Sequence, residues 1–509
     1  MNRRVRLLAI FFVLCIALLV AQLANLQVRQ AHALQHSPFA PHVASTSVNA
    51  QRGEIISADG YVLAKSVKVP GGGYRRVYPQ GKLFAAITGY VDTVNDNIST
   101  GLEAEYGNPY GTTPASQYLL VHQYPTHGLS GYLNQRSGTD TITITVTRAL
   151  QAVAAQALGS LTGALVAWNP QNGDILALYS SPSYNPNKLA STNPKEVNSY
   201  YNSLNPNSAT SPLVNEATHA LNPPGSTFKI VTSSALFHYK PSLANKVWPA
   251  VSGTPLPNTT RILHNYDSEL CGGDLAQVFA QSCDSAFGLI GMSLGPQALA
   301  NETKAFGFGQ APPIDLPSGP PSYEVEPAYF PPASTFSAQD PFLAYSAIGQ
   351  GNVKETPLQD ALIAGAIADG GKMMTPHLLS RVVNDQGTIV KTFRPHMWRR
   401  ATTPTIARKV LHLMRGVTSF SDGTAYGLNW PPGITVAAKT GTAQVGTAGC
   451  LDNWLVATAP AGVGQTPTVA VAGYVPYQPG VPCNSTGASA AGPRVATLLT
   501  AALAQQAQG

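Results

Sequence analysis

Charge is scarce in this chain. Asp, Glu, Lys and Arg make up 11% of its 509 residues, and no dense Lys/Arg run follows the first six. A formal net charge of +6 spread this thinly offers no basic stripe for a polyanion, which excludes nucleic acid as a partner. The shortage does not signal disorder. Hydrophobic residues reach 44%, and the length suffices for two or three cored domains. Long apolar runs are scarce too: there is one, "LLAIFFVLCIALLVA" at 7–21, preceded by Arg3, Arg4 and Arg6. Extended to residue 26, it is long enough to cross a bilayer core of ~30 Å as a helix. Its basic flank predicts a cytoplasmic N-terminus and an exported, membrane-anchored body. A cleaved signal peptide is the alternative. Its A-x-A site, Ala31-His32-Ala33, lies well past the apolar run, which favours an uncleaved anchor.

Cysteine is rare as well, at five residues. Cys15 lies in the apolar run. Cys271, Cys283, Cys450 and Cys483 fall in the exported body, where disulfides are permitted. Cys450 and Cys483 flank two segments that read as paired strands, so a bridge at one sheet end is feasible. Cys271 and Cys283 bracket a helical segment of ~12 Å. They pair only if the chain folds back, and the preferred reading leaves Cys283 a buried free thiol.

Alternation in "RGEIISADGYVLAKS" predicts two short strands about a turn at Asp59-Gly60. "TDTITITVT" reads as a strand, and "RALQAVAAQALGSL" has helical spacing. Two apolar runs, 164–168 and 175–179, flank Asn-Pro-Gln-Asn-Gly and predict a hairpin. A helix-rich middle runs from about residue 226 to 420, and strands return in "ITVAAKTGTAQV", "NWLVATAP" and "TVAVAGYV" before a last helix. Strands at both ends with helices between predict an α+β fold: an antiparallel sheet in which first and last segments pair, flanked by helices. The expected division is 1–28 (stub and transmembrane helix), 29–150 (an N-terminal β-rich pedestal) and 151–509 (the main domain).

Of fourteen lysines, only Lys229 has a serine three residues before it. In "NPPGSTFK" the Pro-Pro-Gly punctuation places Ser226 at a helix N-terminus, where free N–H groups favour developing negative charge. Lys229, one turn on among apolar neighbours, is a candidate base for the Ser226 hydroxyl. Alone, the pair reads as an N-cap followed by a snorkelling lysine. Two further stretches change that. Ser282-Cys283-Asp284 puts polar groups into an apolar helical stretch, which suggests a helix break facing a polar cleft. Lys439-Thr440-Gly441-Thr442 puts a lysine and two hydroxyls on a strand. Thr440 and Thr442 share one face, and Gly441 leaves room for a substrate backbone.

In that order, S-x-x-K, S-x-D and K-T-G resemble the signature of penicillin-recognising serine acyltransferases. "GLEAEYG", "GALVAWNPQNGDILALYSSPSYNPN" and "GQGNVKETPLQDALIAGAIADGG" extend the resemblance to class B penicillin-binding proteins over nearly the whole chain after the anchor. The resemblance implies a penicillin-binding transpeptidase fold and a peptidoglycan D,D-transpeptidase that needs no cofactor and no metal. Its donor is a stem peptide ending in D-Ala-D-Ala, and β-lactams trap the same serine. Ser226 is then the nucleophile, Lys229 its base, and Ser282 a proton relay. Lys439, Thr440 and Thr442 hold the terminal carboxylate, and the N–H groups of Ser226 and Thr442 form the oxyanion hole. Asp284 stands where the family more often has Asn. As a carboxylate it either pairs with Lys229 or Lys439 and keeps that lysine protonated, or donates as a neutral acid. Orienting a lysine is the favoured reading.

Other absences separate the rivals. No E-x-x-L-N string lies between the second and third motifs, so a β-lactamase lacks its deacylating base. Six residues before a single span are too few for a membrane sensor's cytoplasmic part. The region between anchor and first transpeptidase strand is short for a glycosyltransferase, so a separate lipid II polymerase in the same membrane is an implied partner. Intact motifs argue against a catalytically weak scaffold.

Overall fold

The computed structural model describes residues 3–25, 50–95, 99–108, 115–123, 137–319, 322–337, 340–445 and 449–508. A run free of Pro and Gly forms α1 (Arg3–Ala24), 22 residues or about 33 Å of helix. Among the described residues no helix is long and apolar enough to cross a membrane. Ala31-His32-Ala33 falls outside the described residues.

The turn at Asp59-Gly60, with Gly60 at φ +82°, joins β1 (Ile55–Ile56) to β2 (Val62–Lys68), and β3 (Tyr74–Val77) follows. β1 also pairs in parallel with β4 (Thr141–Ile144). Two strands from far along the chain, Leu379–Val383 and Ile389–Thr392, complete this six-stranded sheet through β4. The N-terminal sheet thus crosses the expected boundary at residue 150. Buried Glu103 clamps the region, accepting from Arg52 Nε at 3.0 Å and Arg76 Nε at 2.5 Å, so its charge is paired rather than stranded.

After α2 (Arg148–Leu158), the Asn-Pro-Gln-Asn-Gly turn joins β5 (Gly163–Trp168) to β6 (Ile175–Ser181) as the predicted antiparallel hairpin. The helical middle contains α3 (Lys229–Tyr239), α4 (Leu275–Ala280), α5 (Asp284–Leu294), α6 (Pro357–Ala368) and α7 (Pro404–Ser419). Then come β7 (Ala437–Val445), β8 (Cys450–Ala459), β9 (Val469–Val475) and α8 (Gly492–Gln506). The order β7-β8-β9-β5-β6 pairs the last strand with the first of the domain, Ala472 opposite Val166. β8 and β9 are buried along their whole length because helices cover both faces. Gly473 lies under Val495 of α8, beside Leu165. Trp168, of opposite parity on β5, lies against Gly365 of α6 and donates to Ala361 O.

Both cysteine pairs are disulfides. Cys450–Cys483 closes one sheet end with Cα atoms 4.5 Å apart. Cys271–Cys283, with Cα atoms 5.6 Å apart, corrects the expectation of a free thiol at Cys283. The helix between them ends at Ala280, shorter than its spacing implied, and the chain reverses at Ser282 and brings Cys283 back to Cys271.

Candidate active site

Pro223, Pro224 and Gly225 aim the chain at β7. Gly225 has φ +58°, and a Cβ there would stand 2.6 Å from Thr442 O, so only glycine permits this approach. A 3-10 turn, Gly225–Phe228, carries the half-buried Ser226 and runs straight into α3. The turn is held from behind: Gly225 N donates to Gly349 O at 2.9 Å, and Asn222 and Glu355 exchange backbone hydrogen bonds. Lys229 opens α3 and is fully buried.

The second motif is the predicted helix break. α4 ends, and Ser282 takes φ +64°, a left-handed conformation unusual for a residue with a side chain. α5 then begins at Asp284. The reversal presents three acceptors to Lys229 Nζ: Ser282 O at 2.7 Å, Asp284 Oδ1 at 2.6 Å and Ser282 Oγ at 3.3 Å. Three acceptors match the three donors of an ammonium group. The resting contacts are therefore those of a charged lysine, and the free base foreseen from sequence forms only when that proton leaves. Asp284 pairs with Lys229 rather than Lys439.

Lys439, also fully buried, donates to Thr440 O at 3.0 Å and lies 2.8 Å from Ser282 Oγ. Ser282 thus links the two amines. Burial lowers the proton affinity of Lys229, and Asp284 restores part of it. Burial pushes Lys439 down much further, the charge of Lys229 adds to the fall, and Asp284 opposes it.

The Thr440 hydroxyl meets that of Thr424 at 2.6 Å, and Thr442 Oγ1 accepts from Gly487 N at 3.2 Å. Thr442 O accepts from Gln350 Nε2 at 3.4 Å. Gly441 makes room for something other than foreseen. A Cβ there would stand 2.4 Å from Pro224 O and 2.8 Å from Trp454 Cβ, so the missing side chain admits the protein's own nucleophile turn and not a substrate backbone. All eight residues expected at the site lie on the three segments brought together here. Thr424, Gln350 and Gly487 were missed. No local pattern marks them, since each is recognisable only by its contact with β7.

A serine at a helix start, two buried lysines joined through a second serine, and a strand edge bearing hydroxyls define a serine acyltransferase that works through a covalent intermediate. Comparison with known proteins agrees. The penicillin binding protein transpeptidase domain matches residues 163–500, and the penicillin binding protein A dimerisation domain matches 52–117. The peptidoglycan D,D-transpeptidase PbpA of Mycobacterium tuberculosis is 34% identical over 486 residues, covering 93% of each chain. That of Mycolicibacterium smegmatis is 32% identical, covering 99% of each. The M. tuberculosis penicillin-binding protein A, solved as a ceftriaxone acyl-enzyme complex, superposes with a TM-score of 0.76 at 31% identity, covering 90% of this chain and 99% of that one. The chain belongs to the penicillin-binding protein transpeptidase family and is a serine-type peptidoglycan D,D-transpeptidase.

Proposed function

We propose that Ser226 attacks the penultimate D-Ala carbonyl of a stem peptide ending in D-Ala-D-Ala and expels the terminal D-Ala. The attacking proton passes to Lys229 once that lysine has shed its own. Ser282, within 3.3 Å of one amine and 2.8 Å of the other, carries protons between them and toward the leaving nitrogen. Lys439 and the Thr440 and Thr442 hydroxyls receive the terminal carboxylate. The N–H groups of Ser226 and Thr442 stabilise the oxyanion, each worth about 3–4 kcal/mol in comparable sites. An amine from a neighbouring stem then resolves the acyl-enzyme as a cross-link, while a β-lactam leaves Ser226 acylated.

The observation that carries this reading is that Lys229, three residues after Ser226, and Lys439, on the strand against which the Ser226 turn packs, meet at Ser282. The apolar helix behind three arginines supports a single-pass anchor with the body outside the cytoplasm. That location supports a lipid II polymerase in the same membrane as partner. Intact mass after exposure to a penicillin tests the central claim. The wild type gains one penicillin and Ser226→Ala gains none. An unlabelled wild type indicates a scaffold, and labelling of Ser226→Ala overturns the assignment.

A further inference from the structure

Behind the nucleophile turn lie two carboxyl groups that the reaction does not use. Glu355 and Asp360 are both fully buried, and none of their four carboxyl oxygens has a hydrogen-bond partner among the described residues. Neither forms an ion pair there. They meet because of how α6 begins. Thr356 is its N-cap, accepting from Gln359 N at 3.2 Å, so Glu355 precedes the cap and Asp360 is the fourth helical residue. These are the two positions where a helix start ordinarily brings apolar side chains together. Here both hold acids, and each reaches one flank of Ser226. The backbone of Glu355 is bridged to Asn222, four residues before the serine. Asp360 lies against the hydroxyl of Thr227, one residue after it. That hydroxyl donates to Pro224 O at 3.2 Å.

We propose that Glu355 and Asp360 form a buried pair of neutral carboxylic acids, and that Asp360 is a positioning residue. Its O–H donates to Thr227 Oγ1, which donates on to Pro224 O, so the chain of donors holds the Ser226 turn against β7. Only a protonated Asp360 can begin that chain.

The surroundings keep the protons on. Burial raises Glu355 well above the usual carboxylate range, and Asp360's charge adds to it. Burial raises Asp360 to about 8, and the Thr227 hydroxyl, whose proton is committed to Pro224 O, has none left to offer its carboxylate. Among the described residues no cation pairs with either acid. Lys354 is exposed, and Lys229 on α3 is engaged by Asp284. The segment at Ala217, whose carbonyl takes Leu358 N, brings Glu216, itself raised to about 7 by burial and by Asp452, and His219, which lies 3.8 Å from Glu326. The buried face of α7 is apolar, and Trp168 of β5 meets α6 further along.

The test is the pH profile of acylation by a penicillin, measured on the full chain. It rests on Ser226 being the nucleophile. A wild type unlabelled at every pH refutes the function, whereas a labelled enzyme with the wrong profile refutes only the positioning role. The wild-type rate is expected to fall as pH rises through about 8. Asp360→Asn keeps a donor with no ionisation, so its fall should move to higher pH or vanish. Asp360→Leu lacks the donor and should acylate at least tenfold more slowly at every pH, with Asp360→Asn restoring the rate. An alkaline fall identical in wild type and Asp360→Asn overturns the proposal. Should the variants not fold, the infrared spectrum of the wild type decides. Because Glu216 and Glu324 are also raised to about 7, the protonated-carboxyl carbonyl bands that count are those that persist at about pH 7.5 and are lost only as pH rises past about 8: their presence supports the pair, and their absence overturns it.

Discussion

Replacing Asp284 by Asn asks what holds the proton on Lys229. The carboxylate oxygen lies 2.6 Å from an amine that is itself fully buried. A hydrogen bond to a charged group is worth about 1.5–3 kcal/mol, and about 1.4 kcal/mol is tenfold in an equilibrium. Asp284 therefore reduces the free-amine population roughly 10- to 150-fold relative to a side chain with no acceptor in its place, and by a smaller factor relative to a neutral acceptor. Asn offers such an acceptor, and Ser282 O and Oγ still anchor the lysine, so its position survives while the charge that holds its proton is gone. Acylation by a penicillin near neutral pH should be unchanged in Asp284→Asn, or faster by up to that factor where free base limits the rate. The assay is a time course of intact mass, with melting temperature as control. A loss greater than about tenfold at unchanged melting temperature refutes the reasoning, because the carboxylate's charge would then be required for attack and not merely for storing a proton.

Gly441→Ala puts a methyl 2.4 Å from Pro224 O, so it should cost about 1–3 kcal/mol of stability and slow acylation by displacing the Ser226 turn; a variant that acylates like wild type contradicts this. Lys439 has a folded-state proton affinity well below its unfolded value, so across that window the unfolded chain binds more protons and stability rises with pH toward the ordinary lysine value of 10.5. Lys439→Met should therefore raise the melting temperature at neutral pH, flatten its rise at alkaline pH and abolish acylation; a lower melting temperature at neutral pH tells against a buried, destabilised amine. Thiol titration of the denatured, unreduced full chain should find one free thiol, Cys15, and a count of three would mean that one bridge does not form. With no E-x-x-L-N string between the second and third motifs, penicillin turnover should stay below about one per second, and faster hydrolysis would mark a β-lactamase.

Much of the architecture was legible in order of residues alone, because the rules that set it are local. Alternation marked β4 and the hairpin of β5 and β6. Pro-Pro-Gly placed Ser226 at the start of α3, and the polar interruption at Ser282 signalled a break between helices. Each of these depends on neighbours within a turn or two. Ser226, Lys229 and Lys439 could be singled out as candidates for the same reason: few residue types support this chemistry, and their immediate surroundings are encoded beside them.

Contacts between distant segments were not encoded that way. Whether Asp284 would choose Lys229 or Lys439 depended on which way Ser282 turned the chain. Gly441 read as space for a substrate because nothing near it in sequence reveals Pro224 pressed against it. Cys271 and Cys283 read as too far apart because the length of α4 and the reversal after it are tertiary outcomes. Glu355 and Asp360 look like acids at an ordinary solvated helix start. Burial, with each acid's nearness to the other, is what keeps them neutral, and burial is a property of how segments pack against one another, which no local pattern of residues contains.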